Sequence, residues 1–252
     1  MAALLSPLFL TLASLAPLVS GHGHVTGIVV DGKWSSGWNG EMKYQNPLPQ
    51  VAGWQADVLD NGFIAPAAFG AADIVCHKTA KNANAYVSAK PGSKITLQWN
   101  TWPTSHKGPI LDYLAPCNGD CLTVDKTKLL FTKFAEGAWK SGADPGLWVT
   151  DDLIKSNNSW TTTLPADLAP GNYVLRHEII ALHAAGQSGG AQAYPQCFSV
   201  KVEGSGSRAL SGGTAATSFY KSRYVCCYLH FLSLSLSPWI QGLGVDGLTC
   251  WQ

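Results

Sequence analysis

The sequence has little charge, and this limits the classes of protein to which it can belong. Only 13% of its 252 residues are Asp, Glu, Lys or Arg, about half the share found in an average soluble protein. The 17 basic and 16 acidic side chains leave a formal net charge of +1. This balance argues against nucleic-acid binding driven by a basic surface. Because 46% of the residues are apolar, the chain is not a disordered polyelectrolyte either.

Residues that form turns and large aromatic residues are abundant instead. The chain contains 26 glycines, 14 prolines and 10 tryptophans, which favours short strands and loops over helix bundles. The segment 164–173 predicts a corner that leads into a strand. Turn sequences separate four strand-like runs, which are Lys94–Trp99, Leu129–Phe134, Asn172–Leu182 and Gln196–Val202. This spacing predicts an all-β fold, an antiparallel β-sandwich with long loops.

The N-terminus predicts a secreted protein. Leu4–Val19 is apolar, but it is too short and too often interrupted by proline to span a membrane. Val19-Ser20-Gly21 places small residues where a signal peptidase cleaves, although the usual basic residues before the apolar run are missing. We therefore predict that residues 1–21 are a signal peptide and that His22 becomes the first residue. The sequon Asn157-Asn158-Ser159 is consistent with secretion and glycosylation.

The chain after the signal peptide divides into two parts. Residues 22–203 form one predicted globular domain, whereas residues 204–252 begin with a linker-like Gly204–Ser207 and include Tyr224–Val245, which has no Asp, Glu, Lys or Arg. This tail has three interpretations: a membrane or glycolipid anchor signal, the last strand of the sandwich, or a translated intron. The codons around Arg223 and Leu248 can contain a splice donor and an acceptor. We therefore favour the intron and expect a correctly spliced chain to be more stable.

The cysteines of the predicted domain are even in number, as suits a secreted protein: Cys76, Cys117, Cys121 and Cys197. Cys117 and Cys121 flank a tight loop that a disulfide could close. Cys76 and Cys197 would then join distant strands. The alternative is a metal site at Cys117 and Cys121, but no second pair completes it.

Among the seven histidines, His22 is the most informative. Once processing exposes it, it offers both a ring nitrogen and an α-amine, whose pKa of about 7.7–8.0 lets a metal displace the proton near neutral pH. A second imidazole would complete a planar three-nitrogen site, which favours Cu(II). The alternative is a terminal histidine without a role. His106, judged alone, reads as a surface histidine in a loop.

Other candidate residues have weaker signals. His177 and His183 lie six residues apart in a strand-like run, so they are predicted to share a face, as core histidines or as ligands. Gln192 and Tyr194 also share a face if the chain is extended, and a tyrosine ordinarily packs in a core with its hydroxyl bonded. His77 follows a cysteine and reads as a surface residue.

Seven motifs follow one another along the chain. They are His22–Val25, Asp60–Phe63, Asp73–His77, His106–Pro109, Leu111–Cys121, Arg176–His183 and Ala191–Cys197. Together and in this order they resemble the fungal cellulose-active lytic polysaccharide monooxygenases, auxiliary activity family 9, formerly glycoside hydrolase family 61. The resemblance covers residues 22 to about 203, with a trace up to Phe219-Tyr220-Lys221.

The resemblance implies an immunoglobulin-like sandwich with one copper ion on a flat face. His22 and His106 would supply three nitrogens to the metal, and Tyr194 would lie in the axial direction. His183 and Gln192 would hydrogen-bond the oxygen co-substrate. The resemblance also implies that Cys76 pairs with Cys197 and Cys117 with Cys121.

The implied reaction is oxidative cleavage of cellulose by hydroxylation at C1 or C4, with O2 or H2O2 as co-substrate and an external electron donor. We expect a secreted monomer. Two alternatives stay open: a glycoside hydrolase, for which Glu178 and Asp112 could be nominated, and a non-catalytic carbohydrate- or copper-binding protein. Tyr44 and the region Trp34–Trp54 are candidates for the substrate face.

Overall fold

The computed structural model describes residues 22–220, in which strands make up two stacked sheets. The first sheet has the order β2-β1-β4-β9, with β1 at Val25–Val30, β2 at Lys33–Ser36, β4 at Lys94–Trp99 and β9 at Ser159–Thr163. The second has the order β12-β6-β5-β10-β11-β3. Its strands are β3 (Val87–Ala89), β5 (Ile110–Pro116), β6 (Leu130–Gly137), β10 (Gly171–Ala181), β11 (Gln192–Val202) and β12 (Thr214–Ala215).

Shorter elements lie in the connections between these strands. Strands β7 (Trp139–Ser141) and β8 (Leu147–Trp148) form a hairpin that leads into helix α2 (Val149–Lys155). Helix α1 (Asp73–Cys76) lies in the long connection between β2 and β3. The remaining elements are 3-10 helices at Gly40–Tyr44, Pro66–Ala68, Lys126–Lys128 and Ala216–Ser218.

The six-stranded sheet is covered on both faces. Strand β4 alternates in burial, and its inward side chains Ile95, Leu97 and Trp99 meet Leu175 and Phe198 of the second sheet. On the other face of the second sheet, the long connection and α1 cover a second apolar cluster, which includes Trp54, Ile64, Ile74, Val174 and Ala193. Nearly continuous burial along β10 and β11 follows from this double covering.

The predicted sandwich is confirmed, with three differences in detail. Strand β6 ends at Gly137, three residues after the predicted Phe134. Strand β3 pairs with β11 in parallel, whereas the other ladders are antiparallel. Strand β11 begins at Gln192, four residues before the predicted Gln196. The corner before β10 is present, because the Tyr173 hydroxyl donates to the Ala169 carbonyl at 2.8 Å.

The cysteines form the two predicted disulfides. One joins Cys76 at the end of α1 to Cys197 on β11, and the other joins Cys117 to Cys121. Because the last two are bonded to each other, the alternative metal site at this pair is wrong.

Residues after the predicted boundary at 203 also contact the sandwich. Thr214 and Ala215 pair with β6, the Phe219 ring stacks on Tyr113 with centroids 4.6 Å apart, and the Tyr220 hydroxyl donates to Glu178 at 2.5 Å. The predicted signal peptide and the predicted translated intron lie outside the described residues. Between residues 22 and 220, no helix is long and apolar enough to cross a membrane.

Candidate metal centre

The strand pairing brings the two predicted histidine ligands to one end of the sandwich. Val25, at the start of β1, pairs with Trp99, at the end of β4. His22 lies just before β1, and His106 lies in the loop that follows β4. Both histidines therefore lie at the same end of the sandwich. Their ring centroids are 5.1 Å apart and the ring planes are nearly perpendicular. The ring of Tyr194 lies 5.7 Å from that of His22.

His106 is buried, so the prediction of a surface histidine is wrong. It packs under the exposed ring of His183 and against Trp102, whose indole Nε1 donates to the His106 carbonyl at 2.8 Å. Burial above all, then the nearby imidazoles of His183 and His22, lowers its pKa to about 4. The imidazole is therefore neutral at ordinary pH.

One nitrogen of His106 fits a metal ligand. Its Nδ1 lies 3.1 Å from the Ser105 hydroxyl, whereas its Nε2 is buried with no hydrogen-bond partner within the described residues. Buried polar atoms are ordinarily bonded. A neutral imidazole with one nitrogen anchored and the other unpaired is the arrangement expected of a metal-binding histidine.

His22 is half-buried and also biased toward its neutral form. Burial lowers its pKa, and a side-chain hydrogen bond with Gln192 partly offsets this. The ring of Phe63 packs beside the His22 ring, with centroids 5.6 Å apart. The neutral ring can therefore offer a nitrogen to a metal without first losing a proton.

Tyr194 is fully buried, and its hydroxyl donates to Gln192 Oε1 at 2.7 Å. The two residues therefore share a face of β11, as predicted. Burial raises the pKa of the phenol well above its ordinary value, so it stays protonated. The ring of Trp102 packs edge-on against it at 5.0 Å.

His183 and His177 do not share a face, because β10 ends at Ala181. His183 lies beyond the strand, exposed, with its ring stacked on that of His106 at 3.8 Å. His177 is buried between the sheets, where its Nδ1 donates to Asp112 at 2.6 Å and its Nε2 accepts from Trp99 at 3.0 Å. Only His183 belongs to the candidate centre.

His77 is 1% exposed, so its prediction as a surface residue is wrong. It follows the disulfide-bonded Cys76, and its Nε2 donates to the Gly62 carbonyl at 3.0 Å. The imidazole is therefore shielded from solvent and bonded to the main chain at Gly62.

The carboxylates nominated for a hydrolase are buried and occupied. Glu178 forms a two-point ion pair with Arg176, with N–O distances of 2.8 Å. Asp112 accepts from His177 and from Trp160. Both side chains are 0% exposed, so neither can reach a glycosidic bond.

The sequence did not assign several neighbours of this centre. Phe63 contacts both the His22 and the Tyr194 rings, and Asn61 lies 2.6 Å from His24 Nδ1. The Asp-Asn-Gly turn that carries them is visible in the sequence, but its position beside His22 is not. Of the predicted substrate face, Trp34 and Tyr44 are 51% and 71% exposed, whereas Trp38 and Trp54 are buried.

Side chains alone do not supply a complete set of metal donors at this centre. Within residues 22–220, no group of three or more His, Cys, Asp or Glu residues could hold a metal ion. Two neutral imidazoles converge here, so a third strong donor must come from another kind of group. The α-amine that processing would create at His22 is such a group.

Comparison with known proteins gives one consistent result. The model of auxiliary activity family 9 (formerly GH61) matches residues 22–233. Lytic polysaccharide monooxygenase B of Aspergillus tamarii is 52% identical over 206 residues, which cover 82% of this chain and 55% of that protein. Lytic polysaccharide monooxygenase F of Malbranchea cinnamomea is 51% identical over 210 residues, which cover 83% of this chain and 85% of that protein.

A solved structure has the same architecture. The extended catalytic domain of H. jecorina LPMO9A superposes with a TM-score of 0.80 at 47% identity, covering 89% of this chain and 93% of that domain. The H. jecorina protein Cel61B superposes with a TM-score of 0.75 at 42% identity, covering 80% and 90%. The chain thus spans the catalytic domain of one relative, but only about half the length of the A. tamarii protein.

Proposed function

Because the chain belongs to auxiliary activity family 9, we propose that it is a copper-dependent lytic polysaccharide monooxygenase that cleaves cellulose oxidatively. The observation that carries this proposal is the convergence of His22 and His106, 5.1 Å apart, with the buried His106 Nε2 unpaired. Exclusion of the buried carboxylates Glu178 and Asp112 from hydrolysis supports it further.

The donors of this centre suit one copper ion. His22 would bind through its ring and its α-amine after removal of residues 1–21, and His106 would bind through Nε2. Three nitrogen donors would favour Cu(II), which binds nitrogen ligands most tightly among divalent first-row metals. When bound and reduced by an external donor, copper would supply the redox chemistry for hydroxylation at C1 or C4 with O2 or H2O2.

The protein supplies geometry and hydrogen bonds. Tyr194 stays a neutral phenol because it is buried, and its hydroxyl is held by Gln192. Tyr194 would therefore stand beside the bound metal as a neutral phenol and not as an anionic ligand. His183, exposed beside His106, and Gln192 would donate hydrogen bonds to the oxygen co-substrate.

Among the exposed residues, Tyr44 presents aromatic surface to solvent, and such a ring can stack on a sugar ring. Trp34 is also exposed, but it pairs with Val29, toward the end of β1 that is opposite His22. We propose cellulose or a related β-1,4-glucan as the substrate of a secreted, monomeric enzyme. The alternative, a non-catalytic carbohydrate- or copper-binding protein, would keep the same histidines but form no products.

The test compares the processed wild-type protein with His106→Ala, and with Thr104→Ala as an exposed control in the same loop. We expect one copper per chain and reductant-dependent oxidised oligosaccharides from the wild type and from Thr104→Ala, and neither from His106→Ala. Cellulose cleavage that persists in His106→Ala would instead indicate a hydrolase. Copper binding by the wild type without products would favour the non-catalytic alternative.

A further inference from the structure

A side chain outside the proposed ligand set joins the two segments that carry the histidines. Asn100 Oδ1 accepts from the main-chain N–H of His24 at 2.9 Å and from that of Thr101 at 2.9 Å. His24 lies two residues after His22, and Thr101 lies in the loop that carries His106. The Asn100 Oδ1 atom is therefore hydrogen-bonded both to the segment that begins at His22 and to the segment that leads to His106.

The main chains of these segments also touch. A Cβ on Gly23 would lie 2.1 Å from the Thr101 carbonyl oxygen and 2.9 Å from Asn100 Oδ1, so only glycine allows this approach. The Asn100 N–H donates to the His24 carbonyl at 3.1 Å. Together these contacts fix the His22 segment along the backbone at 100–101.

Asn61 extends the contact to a third segment. His24 Nδ1 donates to Asn61 Oδ1 at 2.6 Å, and Asn100 Nδ2 approaches the same oxygen at 3.5 Å. Asn61 has a φ of +50°, which asparagine tolerates better than most residues. Its loop carries Phe63, which packs against the His22 ring.

Asn100 is also connected to His106, through Thr101 and Trp102. This tryptophan follows Thr101 directly and donates through its indole to the His106 carbonyl at 2.8 Å. Its ring also packs on Tyr194 at 5.0 Å. A shift at Thr101 would therefore move the group that holds His106 and Tyr194.

We propose that Asn100 is a positioning residue of the metal centre, which sets the distance between the His22 and His106 segments through its side-chain oxygen. This inference rests on the proposed copper function. Ligands that are misplaced by about half an ångström lose affinity. Loss of a hydrogen bond to a metal ligand typically costs roughly 10- to 100-fold in metal affinity or activity, and Asn100 acts on the ligands through their neighbours His24 and Thr101.

The test uses processed protein with His22 as its first residue, titrated with Cu(II) by calorimetry and examined by electron paramagnetic resonance. Asn100→Leu, which removes the acceptor, should weaken Cu(II) binding by roughly 10- to 100-fold and change the copper hyperfine splitting. Asn100→Asp, which keeps an acceptor oxygen, should restore both toward wild type. If Asn100→Leu does not fold, Asn100→Ala removes the same acceptor.

Asp31 offers a matched control at the opposite end of the same strand pair. Its carboxylate accepts from the Lys94 N–H at 2.9 Å and from the Ser93 hydroxyl at 2.6 Å. Asp31→Ala should lower the free energy of unfolding but leave the copper affinity and spectrum unchanged.

Three results would overturn the inference. Wild-type affinity and spectrum in Asn100→Leu would show that the side chain does not position the ligands. An equal loss of copper affinity in Asp31→Ala would show a general effect of stability. If the wild type itself binds no copper, the proposed function is wrong and the inference falls with it, a result that is distinct from the other two.

Discussion

The imidazole of His183 lies stacked on that of His106, with ring centroids 3.8 Å apart and planes inclined by 29°. One ring is exposed and the other is buried. His183 therefore covers a proposed copper ligand and is itself exposed to solvent. His183 could therefore have two roles: it could support the ligand His106, and it could contact the reacting molecules.

We expect His183→Ala to lower the rate of oxidised product formation by roughly 10- to 100-fold and to leave copper affinity close to wild type. The reason is that His106 is also held by Trp102 and Ser105. His183→Gln, which keeps a donor, should recover part of the rate. An equal loss of rate and copper affinity would show that His183 acts only by supporting His106.

Because His77 is buried, we expect it to make the free energy of unfolding of the copper-free protein depend on pH. Burial, chiefly, lowers its pKa to about 4 from an ordinary value of 6.5. Between these values the unfolded chain binds more protons than the folded chain, so stability falls as the pH falls. The loss from this group, complete below pH 4, is about 3 kcal/mol.

His77→Asn tests this assignment, because it replaces the titratable imidazole by an uncharged amide that can still donate a hydrogen bond. The variant should be less stable at neutral pH, and its free energy of unfolding should change less between pH 6.5 and 4 than that of the wild type. Urea denaturation at a series of pH values measures both. An unchanged slope would show that other groups cause the acid sensitivity.

Tyr220 holds the last described residues against the sandwich through a hydrogen bond. Its hydroxyl donates to Glu178, which is buried and paired with Arg176. Tyr220→Phe leaves one bond of this carboxylate unmade, so we expect a loss of about 1–3 kcal/mol in unfolding free energy. Tyr44→Phe, at a 71% exposed tyrosine, is the control and should cost little. Equal midpoints of urea unfolding for Tyr220→Phe and the wild type would refute this role of the hydrogen bond.

The two disulfides should contribute unequally to stability. Cys76 and Cys197 are 121 residues apart, whereas Cys117 and Cys121 are four apart. Because a longer closed loop restricts the unfolded chain more, replacing the first pair by alanine should cost about 3 kcal/mol more than replacing the second. Chemical denaturation of the two double variants measures this difference, and equal costs would contradict it.

The sequence predicted the sheets better than the surroundings of individual histidines. Strand β4 alternates apolar and polar residues because one face is buried, and its predicted and observed bounds agree. The start of β11 was missed because both faces of that strand are buried there and no alternation marks it. Burial of His77 depends on Gly62, which is 15 residues away, and short-range patterns do not record such contacts.

The candidate centre shows the same limit. From residues alone, His22 is an ambiguous terminal histidine and His106 is predicted to be a surface histidine, and only the family motifs join the two. Their roles as ligands are still predictions, although the structure places their rings together. The contacts of Asn100 and Asn61 could not be predicted, because they join segments that are distant in sequence. In addition, an asparagine in a loop is usually an ordinary turn residue, so neither asparagine stands out in the sequence.

The most direct test of the account is the mass of the products. Processed, copper-loaded protein is incubated with amorphous cellulose, with and without ascorbate, and the soluble oligosaccharides are weighed by mass spectrometry. We predict products that are heavier by one oxygen, or lighter by two hydrogens, that appear only with reductant and that reveal whether C1 or C4 is attacked. Unmodified oligosaccharides formed without reductant would contradict it.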